Sequence, residues 1–302
     1  MLLYRFIQKR YLSVGENRFK KIFFINRGLK KKIFYGYLLR NDNTDHFWDY
    51  FTMENLKIAT CQFEVSSNIN SNYQNIKKYI VEAGNAQADV IHFSECALSG
   101  YLGHHNPKLT IEKLDSKHLE SIIEEICHLA KKYSIWIILG VSHVTAKDTK
   151  NSLYIINDQG NIKGRYDKIN LYDKETTHFS KGNDLVTVDI KNIKCGFMIC
   201  YDSCFPKLYE EYSNLGVKII FHSFYNADNA GGETELDRLI ISQQITRAAD
   251  NRFWIVASNS SKYHSRLASG FIYPDGKIKL LQKNEEGIIY DNIPSKNLGW
   301  TY

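Results

Sequence analysis

Hydrophobic positions along this chain alternate between two textures, and the alternation itself predicts a fold class. Short, nearly unbroken apolar runs stand at 88–93, 135–139, 195–200, 217–221 and 253–258. Runs of that length, rich in Ile, Val and Phe, predict strands buried on both faces. Between them, Leu114, Leu119, Ile122, Ile123, Ile126 and Leu129 recur at helical spacing, as do Leu236, Leu239, Ile240, Ile245 and Ala248. Each set predicts an amphipathic helix, and the second leads directly into the strand from Phe253 to Ser258. Ser152 to Gly160 reads as a strand and turn, and Gly270 to Ile293 as a hairpin. Strand, helix, strand in succession implies an α/β domain with parallel pairing. Periodicity carries the architecture no further.

The 302 residues are enough for one large core and a modest extension. Charge locates the boundary. Residues 1–52 carry eleven Lys or Arg against four acids, whereas 53–302 come out at about −1. The expected organisation is therefore a basic N-terminal extension, 1–52, and a main domain, 53–302. Met53-Glu54-Asn55-Leu56-Lys57-Ile58-Ala59 reads as a fresh beginning to a first strand. The extension can be read as a disordered arm, a targeting segment or the product of an upstream start codon. It has no uninterrupted apolar core of secretory length, and no segment of the chain matches a membrane span. The near-neutral domain gives no support to nucleic-acid or membrane binding.

Six cysteines without a secretory signal imply a reducing compartment, the cytoplasm, rather than a disulfide framework. Cys195, Cys200 and Cys204 lack the two-residue spacing of zinc knuckles, and no phosphate-cradling or dinucleotide glycine motif occurs. No metal and no cofactor are implied.

Three segments carry candidate chemistry. In Cys195-Gly196-Phe197-Met198-Ile199-Cys200-Tyr201-Asp202-Ser203-Cys204-Phe205-Pro206, a buried strand delivers Cys200 to its C-terminal edge just before a helix opened by Pro206. A thiol there is expected to feel the positive helix end, which favours thiolate. A buried, inert cysteine is the plain alternative. Ala88-Asp89-Val90-Ile91-His92-Phe93-Ser94-Glu95 ends a second strand on a carboxylate, where open α/β sheets place their sites. Lys168 follows the strand-and-turn pattern in Gly164-Arg165-Tyr166-Asp167-Lys168. A nucleophile, a base and a cation at strand ends suit acyl transfer. Asp202, next to the nucleophile, is expected to anchor the turn through backbone N–H groups.

These three segments, in this order, resemble the signature blocks of the nitrilase, or carbon–nitrogen hydrolase, superfamily. Thr246-Arg247-Ala248-Ala249-Asp250-Asn251 and Ser269-Gly270-Phe271-Ile272-Tyr273-Pro274-Asp275-Gly276 extend the resemblance, so that it covers about Met53 to Ile293. The resemblance implies a four-layer αββα sandwich and a catalytic set of Glu95, Lys168 and Cys200. Glu95 would be the general base and acid, Cys200 the nucleophile that forms a thioester, and Lys168 the oxyanion partner, helped by the N–H of Tyr201. It further implies Glu175 as a second glutamate that orients Lys168 or the substrate nitrogen. Tyr101, Phe224 and Tyr225 are expected at the substrate pocket, with core packing the competing reading for the latter two. A small linear amide or carbamoyl substrate, released as acid plus ammonia or amine, is favoured over a nitrile, and a homodimer or larger homo-oligomer is expected.

Two departures stand beside the presumed site. Cys204 occupies the place of a usual arginine, and Lys207 that of a glutamate. Two other readings stay open: a Cys–His acyl hydrolase or transferase with His222 or His143 as base, and a non-catalytic scaffold that binds a metabolite.

Overall fold

Fifteen strands and four α-helices make up the described part of the protein, for which we have a computed structural model. The structure describes backbone elements at 11–13, 19–25 and 32–37. It describes residues 55–102, 114–226 and 232–294 with side chains, Lys174 excepted. The chain divides into two units, Met1–Met53 and Glu54–Tyr302. In the first, β1 (Tyr11–Ser13), β2 (Phe19–Ile25) and β3 (Lys32–Tyr37) pair as an antiparallel sheet. The reading of 1–52 as an arm, leader or start-site product otherwise falls outside the described residues.

The second unit runs β4 (Asn55–Gln62), α1 (Ile69–Asn85), β5 (Val90–His92), α2 (Ser116–Tyr133), β6 (Trp136–Val144), β7 (Thr149–Ile156) and β8 (Ile162–Asp167). It continues β9 (Thr187–Ile190), β10 (Ile193–Ile199), α3 (Pro206–Asn214), β11 (Ile219–Ser223), α4 (Glu235–Asn251), β12 (Trp254–Ser258), β13 (Gly270–Ile272), β14 (Ile278–Leu280) and β15 (Gly287–Pro294). One six-stranded sheet has the order β15-β4-β5-β6-β7-β8, the other β14-β13-β12-β11-β10-β9. The central strands are parallel, β4-β5-β6 in one sheet and β10-β11-β12 in the other, and the flanking pairs are antiparallel. The hairpin expected at Gly270–Ile293 is only half present. β13 and β14 pair with each other, but β15 crosses to the first sheet and pairs with β4. Helix α1 adds an element beyond those expected.

Burial explains the layering. Between the sheets, Ile58, Val90, Ile138 and Ile155 meet Ile193, Phe197, Phe221 and Val256 in one core. The outer face of the first sheet is covered by α1 and α2 through Tyr73, Ile76, Ile80, Ile122 and Ile126. The second sheet is covered by α3 and α4 through Leu208, Tyr209, Tyr212 and Ala248 packed on Met198, Ile220 and Ile255. The result is helix, sheet, sheet, helix: the αββα sandwich. Local signals agree with the helix starts. Asn68 accepts from Ser71 N, Asp115 from His118 N and Thr234 from Leu236 N, while Pro206 opens α3 where its missing N–H costs nothing. Among the described residues no helix is long and apolar enough to cross a membrane.

At the C-terminal ends of the parallel strands, buried hydroxyls stitch one sheet to the other. Thr60 Oγ1 donates to Ala257 O at 2.8 Å, Ser258 Oγ to Cys61 O at 2.9 Å and Ser223 Oγ to Phe93 O at 2.9 Å. Each contributes about 1 kcal/mol net and fixes the register between sheets. This end of the sandwich carries Glu95 and Cys200.

Gly140 on β6 shows how close the packing is. A Cβ there would lie 2.0 Å from Ser94 O and 2.7 Å from Cys96 N, on either side of Glu95. Gly140→Ala is expected to cost ~1–3 kcal/mol by overpacking, seen as a lower denaturant midpoint with unchanged slope. An unchanged midpoint would show that the 94–96 segment yields freely.

Candidate active site

The strand ends bring together residues that lie far apart in sequence. Glu95 stands three residues beyond β5, Lys168 directly after β8, Glu175 in the 3-10 turn Asp173–Thr177 and Cys200 directly after β10. Lys168 Nζ donates to Glu95 Oε1 at 2.8 Å and reaches both Glu175 oxygens, Oε1 at 2.9 Å and Oε2 at 2.8 Å. All three side chains are buried, with Lys168 only 1% exposed.

The remaining lone pairs are also held. Tyr225 N donates to Glu95 Oε2 at 2.7 Å, and Tyr172 N to Glu175 Oε2 at 2.6 Å. Asn151 Nδ2, on β7, donates to Glu95 Oε1 at 2.7 Å and to Glu175 Oε1 at 3.2 Å, while its carbonyl accepts from Lys168 N at 2.8 Å. The sequence reading missed Asn151. Its one signal there is an amide inside a strand whose neighbours are buried. Gly182 closes the Lys168 side, its N–H donating to Lys168 O at 2.8 Å, and a Cβ at 182 would meet Asp167 O at 2.1 Å.

Both reactive elbows use left-handed backbone. Cys200 has φ 41° and Cys96, following Glu95, φ 50°. Each such non-glycine residue costs of order 1 kcal/mol and persists because its surroundings hold it. Asp202 supplies part of that hold, as expected. Its Oδ2 accepts from Ile199 N at 3.0 Å and Tyr166 Oη at 2.7 Å, and its Oδ1 from Asn170 N at 2.9 Å.

Electrostatics correct the thiolate expectation. Burial pushes the Cys200 thiol well above its ordinary value, Glu95 and Glu175 add to that, and Lys168 opposes. Helix α3 begins only at Pro206, so its positive end acts at a distance on a sulfur already facing two carboxylates. Burial likewise pushes Glu95 up, opposed by Lys168. Burial alone would lower the Lys168 ammonium, but the attraction of Glu95 and Glu175 outweighs it and raises it well above the usual lysine value. The resting state is a thiol beside a carboxylate and an ammonium, so the sulfur needs a base.

Tyr101 and Tyr225 stack at 4.8 Å and line a cavity of about 160 Å³ with Glu64 and Lys262 at its wall. Glu95, Lys168 and Cys200 are not among the residues that line it. The Tyr201 ring packs edge-on against Tyr172 and Phe205. Phe224 takes the core-packing place of its two readings, in a cluster that Cys200 also borders. Its ring is buried in the helix-side core, stacked on His222 at 4.1 Å, and it is its carbonyl that reaches the site, accepting from Glu95 N at 3.2 Å. Of the two histidines considered as bases, His222 meets Cys200 through the carbonyl oxygen, at 3.3 Å. His143 faces Tyr154 and Arg165 on the β6–β8 surface.

A buried carboxylate–ammonium–carboxylate clamp beside a strand-end thiol, on an αββα sandwich, defines a class of hydrolase. The chain belongs to the carbon–nitrogen hydrolase family, whose family model matches residues 57–301. It is 29% identical over 264 residues to nitrilase homolog 2 of Dictyostelium discoideum, covering 81% of this chain and 77% of that protein. It is 28% identical over 247 residues to 2-oxoglutaramate amidase of Bacillus subtilis (strain 168), covering 78% and 90%. A mutant of the Nesterenkonia AN1 amidase from the nitrilase superfamily shares the fold with a TM-score of 0.69 at 16% identity, over 79% of this chain and 90% of that one.

The electrostatics predict opposite effects of one change on two readouts. Glu175→Gln removes a charge that raises the thiol, so modification of Cys200 by methyl methanethiosulfonate at pH 8, followed by peptide mass mapping, is expected to speed up several-fold while turnover falls. Slower modification, or a thiol already reactive at pH 6 in the unaltered protein, would contradict the protonated resting state.

Proposed function

We propose that this carbon–nitrogen hydrolase cleaves a small linear amide or carbamoyl compound to an acid plus ammonia or amine, through a thioester on Cys200. The observation that carries the reading is the clamp: one ammonium held at 2.8 Å by each of two buried carboxylates, near the Cys200 thiol at the end of β10. The amidase relatives support the small amide substrate.

In this reading Glu95 accepts the thiol proton as Cys200 Sγ bonds to the amide carbon. The carbonyl electron pair moves to oxygen, and that oxyanion is stabilised by Lys168 Nζ and the Tyr201 N–H. Glu95 returns the proton to nitrogen, the C–N bond breaks and ammonia or amine leaves. Water then gives its proton to Glu95 and adds to the thioester. Collapse yields the acid, and the departing sulfur recovers the proton. Glu175 and Asn151 keep Lys168 charged and aimed. Tyr101 and Tyr225 bound the substrate, with Tyr225 also fixing Glu95. His222 is not the base in this scheme, because its imidazole is committed to a backbone carbonyl.

We further propose a cytoplasmic homodimer. Six unpaired thiols suit a reducing compartment, and α4 leaves Leu236 and Leu239 exposed, 44% and 53%, for a second copy to cover. A monomer by size-exclusion with light scattering at micromolar concentration would overturn the pairing.

Ammonia release from pooled short aliphatic amides, dicarboxylic monoamides and N-carbamoyl amino acids tests the chemistry. Cys200→Ala and Glu95→Gln are each expected to lose at least ~10³-fold in kcat/KM. Turnover that survives in folded Cys200→Ala would end the thioester reading.

A further inference from the structure

Cys200 O and Tyr201 N–H belong to one peptide group, so whatever holds the carbonyl also aims the amide proton. In a trans peptide the two point in opposite directions. The group that holds this carbonyl is His222, on β11 one strand away, with Nε2 at 3.3 Å. His222 is itself buried, and its Nδ1 lies 3.0 Å from the Gln244 side-chain amide on α4.

The imidazole carries one proton, since burial pushes it down to about 3. If that proton sat on Nδ1, the Nε2 lone pair would face the Cys200 carbonyl, oxygen against nitrogen with no hydrogen between. The carbonyl oxygen can only accept, so the proton belongs on Nε2 and Nδ1 must accept in turn. With the Gln244 oxygen toward Nδ1 two acceptors would face each other, and the buried Gln244 Nε2 and Tyr209 hydroxyl, which interact, fall short of hydrogen-bond geometry. Turning the amide over gives each of these groups a complementary partner. Tyr209 then donates to Gln244 Oε1, Gln244 Nε2 donates to His222 Nδ1, and His222 Nε2–H donates to Cys200 O.

We propose that His222, oriented by Gln244 and Tyr209, is a positioning residue that fixes the Cys200–Tyr201 peptide and so aims the Tyr201 N–H at the oxyanion. The chain starts on α3 and α4 and ends on the left-handed backbone of the nucleophile, which explains how φ 41° is held there. Donation to the carbonyl also polarises the peptide, which strengthens its N–H as a donor. His222 thus acts through its neighbour and touches no substrate. The kinetic part rests on the hydrolytic role of Cys200; the tautomer does not.

Two measurements test this. Long-range ¹⁵N–¹H NMR of the histidine-labelled protein between pH 6 and 8 is expected to show His222 neutral and protonated on Nε2; protonation on Nδ1 overturns the proposal whether or not a substrate is known. With an amide that the unaltered enzyme turns over, His222→Ala is expected to lower kcat ~10–100-fold with KM within about threefold, the signature of a weakened oxyanion donor. His222→Asn, which can still donate to the carbonyl, is expected to recover part of the loss. Gln244→Met, which keeps volume but frees the ring, guards against a folding artefact and is expected to fall between. Folded variants with unchanged kcat would overturn the proposal while leaving Cys200 as nucleophile, whereas loss of Cys200 dependence would strike only the hydrolytic reading.

Discussion

The structure depends most on one buried ammonium between two buried carboxylates. Three charges far from water are costly; removing Lys168 leaves two buried carboxylates unpaired, worth about 3–5 kcal/mol of destabilisation, whereas removing either glutamate leaves the ammonium one partner. The clamp is therefore a strong constraint on geometry. It needs Glu95 from beyond β5, Lys168 from the end of β8 and Glu175 from the turn that follows, all within hydrogen-bond distance of one nitrogen. Burial first, and the two carboxylates after it, push the neighbouring Cys200 thiol well above its ordinary value.

The rest of the fold serves that constraint. Glycines at 140 and 182 let neighbouring backbone approach the Glu95 and Lys168 segments where a methyl group would collide. Hydroxyls between the sheets keep the end carrying Cys200 in register with the end carrying Glu95, and the Tyr225 N–H crosses from the second sheet to hold a Glu95 oxygen. The two sheets thus contribute different groups, Glu95 and Lys168 from one and Cys200 from the other.

Much of this was legible in the sequence where local pattern and local structure coincide. Unbroken apolar runs gave β5, β10, β11 and β12 because those strands are buried on both faces. Helical spacing gave α2 and α4. Glu95 and Cys200 were visible because each follows such a run, Lys168 because it follows a strand-and-turn pattern, and their order matched a family pattern. Asn151 was not visible, since its role comes from β7 lying beside β8, a pairing no local pattern encodes. The crossing of β15 to the first sheet was missed for the same reason: turn residues at 274–276 announce a hairpin but not which sheet the next strand joins. The thiolate expectation failed because a local helix-end argument sees neither the burial of the sulfur nor the carboxylates that arrive from distant segments. Pocket and core packing were both open for Phe224; its ring stacks on His222 in a cluster that Cys200 also borders, and its carbonyl accepts from Glu95 N.

The most direct test of the central claim is rapid-quench intact-protein mass spectrometry with an amide that the enzyme turns over. The account predicts a transient adduct equal to the substrate less ammonia or amine, mapped to the peptide holding Cys200, absent in Cys200→Ala and persistent in Glu95→Gln. Turnover without any adduct on Cys200, in conditions where acylation and hydrolysis are both resolved, would contradict it.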